Sequence, residues 1–320
     1  MSTPDPRTPT AVLESVEAVD RILDGPHGPL PVRTYRAAAP AGPGEHAAEP
    51  TSGSPEQAAT PPRPLLVWAH GGGFAYGSLD MAEGDWVARA LAVRGVAVVS
   101  VDYRLAPPFR ELDAGDLRQV ERGAGVHHPV PGEELAFALD WAREQAPGLG
   151  ADPAAVSLGG ASAGGNLAAG GAVSRLLSGG EPPHHLVLAY PTLHAVQPPT
   201  PEGLRALLDA DPEADRFGPD PVRRMYENHL GGPIEEAPLA AVPGTATPEQ
   251  LVRHPPTTIV TSEVDELRVS AEAHAETLCA AGVDVELAME PGVRHGHLNR
   301  PQEGEAAVRT IERFAARLLG

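Results

Sequence analysis

Apolar residues in this chain gather in short unbroken runs separated by longer mixed segments. LPVRTYR (30–36), PLLVWAH (64–70), VAVVSVDY (96–103), AAVSLGG (154–160), HLVLAYP (185–191), TTIVTSE (257–263) and DVELAME (284–290) each read as a strand. From residue 64 onward these runs do not alternate apolar with polar, the pattern of strands buried on both faces of a parallel sheet. Helix-like segments lie between them at 82–93, 132–145, 163–177, 267–281 and 304–319. Strand–helix alternation of this kind predicts an α/β fold with a mostly parallel central sheet flanked by helices. Residues 196–250 interrupt it: they are rich in proline and acid, with helix-like pieces at 202–209 and 221–229. They read as a cap insertion over one end of the sheet. In open α/β sheets ligands bind beyond the carboxyl ends of the strands, so the loops following the strands are where chemistry is expected.

Composition narrows the classes. A chain of 320 residues suits one large α/β domain, here expected over 1–320. Residues 37–63 are nearly all Ala, Pro, Gly, Glu, Ser and Thr, which bury little apolar surface, and the expectation is a flexible loop. The net charge of −19 disfavours nucleic acid and anionic membrane surfaces as partners. Cys279 is the single cysteine, so no intramolecular disulfide forms and a reducing compartment fits. The polar, proline-rich start MSTPDPRTPT has no basic patch followed by an apolar run, and no stretch approaches the length of a membrane span. The expected location is cytoplasmic.

The glycine-rich stretch SLGGASAGGNLAAGG (157–171) has three readings: a linker, a phosphate-cradling loop, or a turn around a nucleophile. A phosphate loop of the G-x-x-x-x-G-K type needs a lysine, and the chain has none; no G-x-G-x-x-G occurs either. A linker does not fit between the strand-like AAVSL and the helix-like NLAAGGAVSRLL. What remains is Gly160-Ala161-Ser162-Ala163-Gly164, a G-x-S-x-G sequence. Its serine sits on a sharp, strained strand-to-helix turn that tolerates no Cβ at the flanking positions. The helix behind it favours developing negative charge. His70-Gly71-Gly72-Gly73-Phe74 follows another strand, and its glycines let backbone N–H groups approach a ligand, as an oxyanion hole requires.

A serine of ordinary acidity needs a base, and the base needs an orienting acid. In this type of fold they come in the order Ser, Asp/Glu, His, each after a later strand. Asp265 follows the run 257–263, with Glu263 and Glu266 as local rivals; His295 follows the run 284–290, with His297 as rival. The adjacent pairs His127-His128 and His184-His185 lack metal-site spacing.

Together these residues resemble the hormone-sensitive lipase family of α/β-hydrolase carboxylesterases, including bacterial acetyl-hydrolases. The matches are HGGGF (70–74), DYRLAP (102–107), GASAGGN (160–166), YP (190–191), Asp265-Glu266-Leu267 and HG (295–296), in family order. The resemblance implies an α/β-hydrolase fold with a small helical cap. It also implies Ser162 as nucleophile, His295 as general base and Asp265 as its orienting acid. Gly72, Gly73 and Ala163 would be the oxyanion donors. No metal or organic cofactor is implied.

Three departures stand out. Residues 1–25 form only a short N-terminal cap segment where the family carries a longer one. The site is then open, or completed by a second subunit in a homodimer. A charged insertion, 109–126, separates DYRLAP from His128-Pro129-Val130-Pro131, and His297 stands where the family has phenylalanine. The expected activity is hydrolysis of small to medium carboxylic esters, acetyl esters among them, with a small-molecule ester as partner. Amide deacetylation, lactone opening or elimination by the same groups is the alternative; a non-catalytic ligand receptor is a third.

Overall fold

The computed structural model describes residues 10–37, 63–108 and 125–320. The loop expected at 37–63 and the insertion at 109–126 fall almost wholly outside the described residues; Arg63 already opens a strand. A short helix, α1 (Thr10–Glu14), leads into the hairpin β1 (Glu17–Gly25) and β2 (Gly28–Arg36). Then come β3 (Arg63–Ala69), α2 (Asp85–Val93), β4 (Ala97–Val101), α3 (Val130–Gln145), β5 (Ala151–Ala161) and α4 (Ala163–Leu177). After β6 (Leu186–Ala189) the insertion contributes α5 (Glu202–Ala210), α6 (Pro219–Leu230) and α7 (Pro248–Leu251). The chain ends with β7 (Thr257–Val264), α8 (Arg268–Ala280), β8 (Val285–Arg294) and α9 (Ala306–Leu319).

The strands form one sheet in the order β1-β2-β4-β3-β5-β6-β7-β8. β1 and β2 pair antiparallel, as do β2 and β4, and every other neighbour pairs parallel. The runs of β3 to β7 bury both faces; the run 284–290 does not, because β8 is an edge strand in which only Glu290 is buried and Leu287 and Met289 are exposed. Leu65, Val67, Val99 and Val101 pack with Leu135 and Leu139 of α3, Leu167 of α4 and Leu278 of α8. Their sequence neighbours Leu66, Trp68 and Val98 point the other way, against Val87 and Leu91 of α2 and Ile311, Phe314 and Leu318 of α9. Each large apolar side chain so buried contributes about 1.5–3 kcal/mol.

Another expectation is corrected. Residues 17–25, read as part of a terminal cap segment, form β1. It is an edge strand in which only Leu23 is buried, so its sequence EAVDRILDG carries no apolar run to betray it. Its pairing places Glu17 opposite Arg36 and Asp20 opposite Arg33; Arg36 Nε donates to Glu17 Oε2 at 2.5 Å and Arg33 Nε to Asp20 Oδ1 at 2.5 Å.

The insertion lies against the carboxyl ends of the strands. Val222, Met225 and Tyr226 of α6 are buried in the larger core. Asn166 of α4 donates to Tyr226 Oη (3.0 Å) and to the Ala241 carbonyl (3.1 Å). Leu204 and Leu208 of α5 pack on Val269 at the start of α8. Among the described residues no helix is long and apolar enough to cross a membrane.

Candidate active site

β5 delivers Ser162 to the sheet's carboxyl edge, and α4 starts at the next residue. Ser162 has φ 52° and ψ −116°, a conformation that costs an L-residue on the order of 1–3 kcal/mol and persists only where its surroundings hold it. They do: its N–H donates to the Ala189 carbonyl at 2.9 Å and its carbonyl accepts from Asn166 N at 3.1 Å. The flanking glycine is sterically required. A Cβ on Gly164 would lie 2.2 Å from the Ala69 carbonyl oxygen and 2.3 Å from that of His70.

Parallel pairing of β7 and β8 sets Val264 opposite Arg294, so Asp265 and His295 leave the sheet side by side. His295 Nδ1 lies 2.7 Å from Asp265 Oδ2, and His295 Nε2 lies 2.9 Å from Ser162 Oγ. A carboxylate only accepts, so Nδ1 carries the proton and Nε2 is left to accept from the serine hydroxyl. Asp265 is fully buried, and its other oxygen accepts from Leu267 N at 3.0 Å. The imidazole sits between Tyr190 (ring centroids 4.9 Å apart) and Phe217 of the insertion (4.5 Å).

The local rivals are engaged elsewhere. Glu263 accepts from Gly292 N at 2.7 Å, and Glu266 from Thr200 Oγ1 at 2.7 Å. His297 is buried between Ser262 Oγ (3.0 Å from Nδ1) and Thr310 Oγ1 (2.9 Å from Nε2). Burial, and then the neighbouring His295, push its imidazole down to about 3. The two hydroxyls explain how a polar ring occupies a core position.

The loop after β3 faces the same point. Gly72, at φ +122°, folds so tightly that a Cβ there would lie 2.2 Å from the Tyr76 carbonyl oxygen. Its own carbonyl accepts from Ala75 N (3.1 Å) and Tyr76 N (2.9 Å). The N–H groups of Gly72 and Gly73 have no protein acceptor among the described residues, and both glycines line the cavity above Ser162. Ala163 opens α4, and first-turn N–H groups have no partner within their helix. That cavity measures about 950 Å³, at the upper end of small-molecule sites. The insertion gives it Phe217 and Met225, and the loop before α2 gives it Met81.

Some residues at the site carry no sequence signal. Glu83, just before α2, is 2% exposed and lines the cavity. Desolvation raises its carboxyl above the usual range, against the bonds from Tyr190 and Gly71. Arg294 holds Asp211 and Glu213 of the insertion to the end of β8. Only tertiary approach gives these side chains their setting.

A serine on a strained strand-to-helix turn, a paired imidazole and carboxylate on later strands, and a glycine loop facing them lie at one edge of this sheet. The chain belongs to the alpha/beta hydrolase fold family, whose pattern matches residues 125–299, in the branch resembling hormone-sensitive lipase. The pattern of the carboxylesterase family matches residues 50–180, and the protein is a carboxylic ester hydrolase of this family. It is 38% identical over 242 residues to carboxylesterase NlhH of Mycobacterium tuberculosis, covering 74% of this chain and 67% of that one. It is 33% identical over 296 residues to esterase LipI of the same organism, covering 92% and 78%. Among solved structures, an esterase of Pyrobaculum calidifontis superposes with TM-score 0.73 at 29% identity, covering 94% of this chain and 84% of that one.

Proposed function

We propose that the chain is a serine carboxylesterase that cleaves small to medium carboxylic esters, acetyl esters among them, through an acyl-enzyme on Ser162. The hydrogen-bonded series Asp265–His295–Ser162 carries this reading. Ser162 Oγ attacks the ester carbonyl while His295 Nε2 takes its proton, and Asp265 stabilises the imidazolium that results. The N–H groups of Gly72, Gly73 and Ala163 receive the oxyanion, each worth roughly 10²–10³ in rate. His295 then protonates the leaving alcohol. Water, deprotonated by the same imidazole, releases the acid and frees Ser162.

A cavity of about 950 Å³ with Met81, Phe217 and Met225 on its wall accommodates an alkyl or aryl group beside the scissile carbonyl. Segment 196–250 acts as the cap, and a single cysteine and the absence of a long apolar helix among the described residues agree with a cytoplasmic enzyme.

The test compares p-nitrophenyl acetate and butyrate hydrolysis by wild type and Ser162→Ala, with fluorophosphonate labelling mapped by peptide mass. Turnover and label both dependent on Ser162 are expected. Serine-independent hydrolysis, or a label elsewhere, refutes the reading.

A further inference from the structure

Glu83 is a buried carboxylate that the mechanism above does not use. It lies directly behind the nucleophile. A Cβ built on Gly71 would meet Glu83 Oε2 at 2.5 Å and Ser162 Cβ at 3.1 Å, so carboxylate and serine flank the same small space. Oε2 accepts from Gly71 N at 2.7 Å, in the loop proposed to hold the oxyanion. Oε1 accepts from Tyr190 Oη at 2.8 Å. Tyr190 in turn packs its ring against both His295 and His297, at 4.9 Å each, and its oxygen accepts from Leu298 N at 3.3 Å. The backbone of Glu83 is held as well: its N–H donates to Asn299 Oδ1 (3.2 Å) and its carbonyl accepts from Trp68 Nε1 (2.6 Å).

We infer that Glu83 is a positioning residue. Its carboxylate clamps the Gly71 peptide on one side and, through Tyr190, the loop bearing His295 on the other, and it places a negative charge behind the imidazole. Both oxygens meet donors, so the bonding pattern is that of the ionised form. In a buried setting that charge favours the imidazolium formed during acyl transfer.

The surrounding groups leave this effect visible. His297 and Arg300 are on the same loop as His295; His297 is held neutral by burial, and Arg300 pairs with Glu303 at 2.9 Å. His70, on the glycine loop, faces Asp102 at 3.9 Å. Arg294 and Glu213 at the cavity pair with each other at 2.6 Å. Asp265 bonds the far nitrogen of the same imidazole.

This inference rests on the proposed triad, and the experiment separates the two. In Glu83→Gln, which keeps the shape but replaces one of the two acceptor oxygens by a donor NH2 and removes the charge, kcat/KM for p-nitrophenyl acetate falls about tenfold. The acidic limb of its pH profile moves to lower pH by about half a unit or more, because the charge favouring imidazolium is gone. A limb that stays in place, or an unchanged kcat/KM, overturns the inference while Ser162-dependent turnover keeps the triad intact. Loss of Ser162 dependence in wild type overturns both. Should Glu83→Gln fail to fold, Glu83→Asp decides. Its charge remains but its arm no longer reaches both partners, so a lowered kcat/KM with an unmoved limb supports the clamp and a wild-type rate refutes it.

Discussion

His295 Nδ1 stands 2.7 Å from Asp265 Oδ2, a carboxylate with no solvent exposure. A buried acceptor at that distance admits one tautomer of the imidazole. Asp265→Asn retains the shape but offers no anion, so kcat is expected to fall by roughly 10³–10⁴ with KM changed little. Steady-state kinetics with p-nitrophenyl butyrate measures this, and a fall under tenfold removes Asp265 from its proposed role.

The two histidines two residues apart predict opposite phenotypes. His295→Ala leaves the fold intact and abolishes Ser162-dependent turnover. His297→Ala keeps most of the turnover per folded molecule but loses about 2–4 kcal/mol of stability, because it opens a cavity and strips Ser262 and Thr310 of their partner. Urea denaturation and kinetics on the same samples distinguish them.

Acid weakens the fold through buried imidazoles. Burial pushes His229, His274 and His297 down to about 3, against about 6.5 in an unfolded chain. Between those values the unfolded state binds more protons, so stability is full above about pH 6.5 and drains away as pH falls towards 3. Each of the three contributes about 2 kcal/mol to the loss between pH 7 and pH 5. His274 is fully buried, and neither ring nitrogen has a hydrogen-bond partner among the described residues. His274→Leu is therefore expected to shrink the difference in urea-unfolding free energy between those two pH values by about that amount. An equal difference in both proteins counts against the argument.

Arg294 tests the proposed cap role of residues 196–250. Its guanidinium grips Asp211 through two nitrogens (2.5 and 2.6 Å) and Glu213 through a third (2.6 Å). Exposed pairs of this kind add only about 0–1 kcal/mol to stability. Arg294→Ala should therefore shift the thermal midpoint little. KM rises about threefold or more, because the segment carrying Phe217 loses its tie to the end of β8. Unchanged KM for both acetate and butyrate esters means the segment is placed without it.

The strands from β3 to β7 are legible because burial on both faces writes itself as an unbroken apolar run, as in Leu65 to Ala69, whereas β8 is an edge strand that buries only Glu290. β1 is not legible, because an edge strand that buries only Leu23 needs no such run. The serine turn and the glycine loop are legible for a steric reason: close backbone approach admits only glycine at Gly164. Spacing could not separate His295 from His297, since both follow β8. What distinguishes them is what each ring faces: Ser162 and Asp265 in one case, Ser262 and Thr310 in the other. Glu83 left no trace at all. Its partner Tyr190 is 107 residues away, and nothing in LDMAEGDW marks one acid among three.

The ladder between β7 and β8 has a consequence for how this enzyme is made. Val264 sits opposite Arg294 beyond a register shift between Ser262 and Val264, and the next residue on each strand is a member of the proposed acid–base pair. The distance between those two side chains is thus set by strand register, like a vernier closing on its last mark. A chain whose final edge strand is undocked, or slipped by one residue, keeps most of its secondary structure and does no chemistry. Esterase activity is therefore a readout of sheet completion, able to tell finished molecules from nearly finished ones that circular dichroism would count as folded.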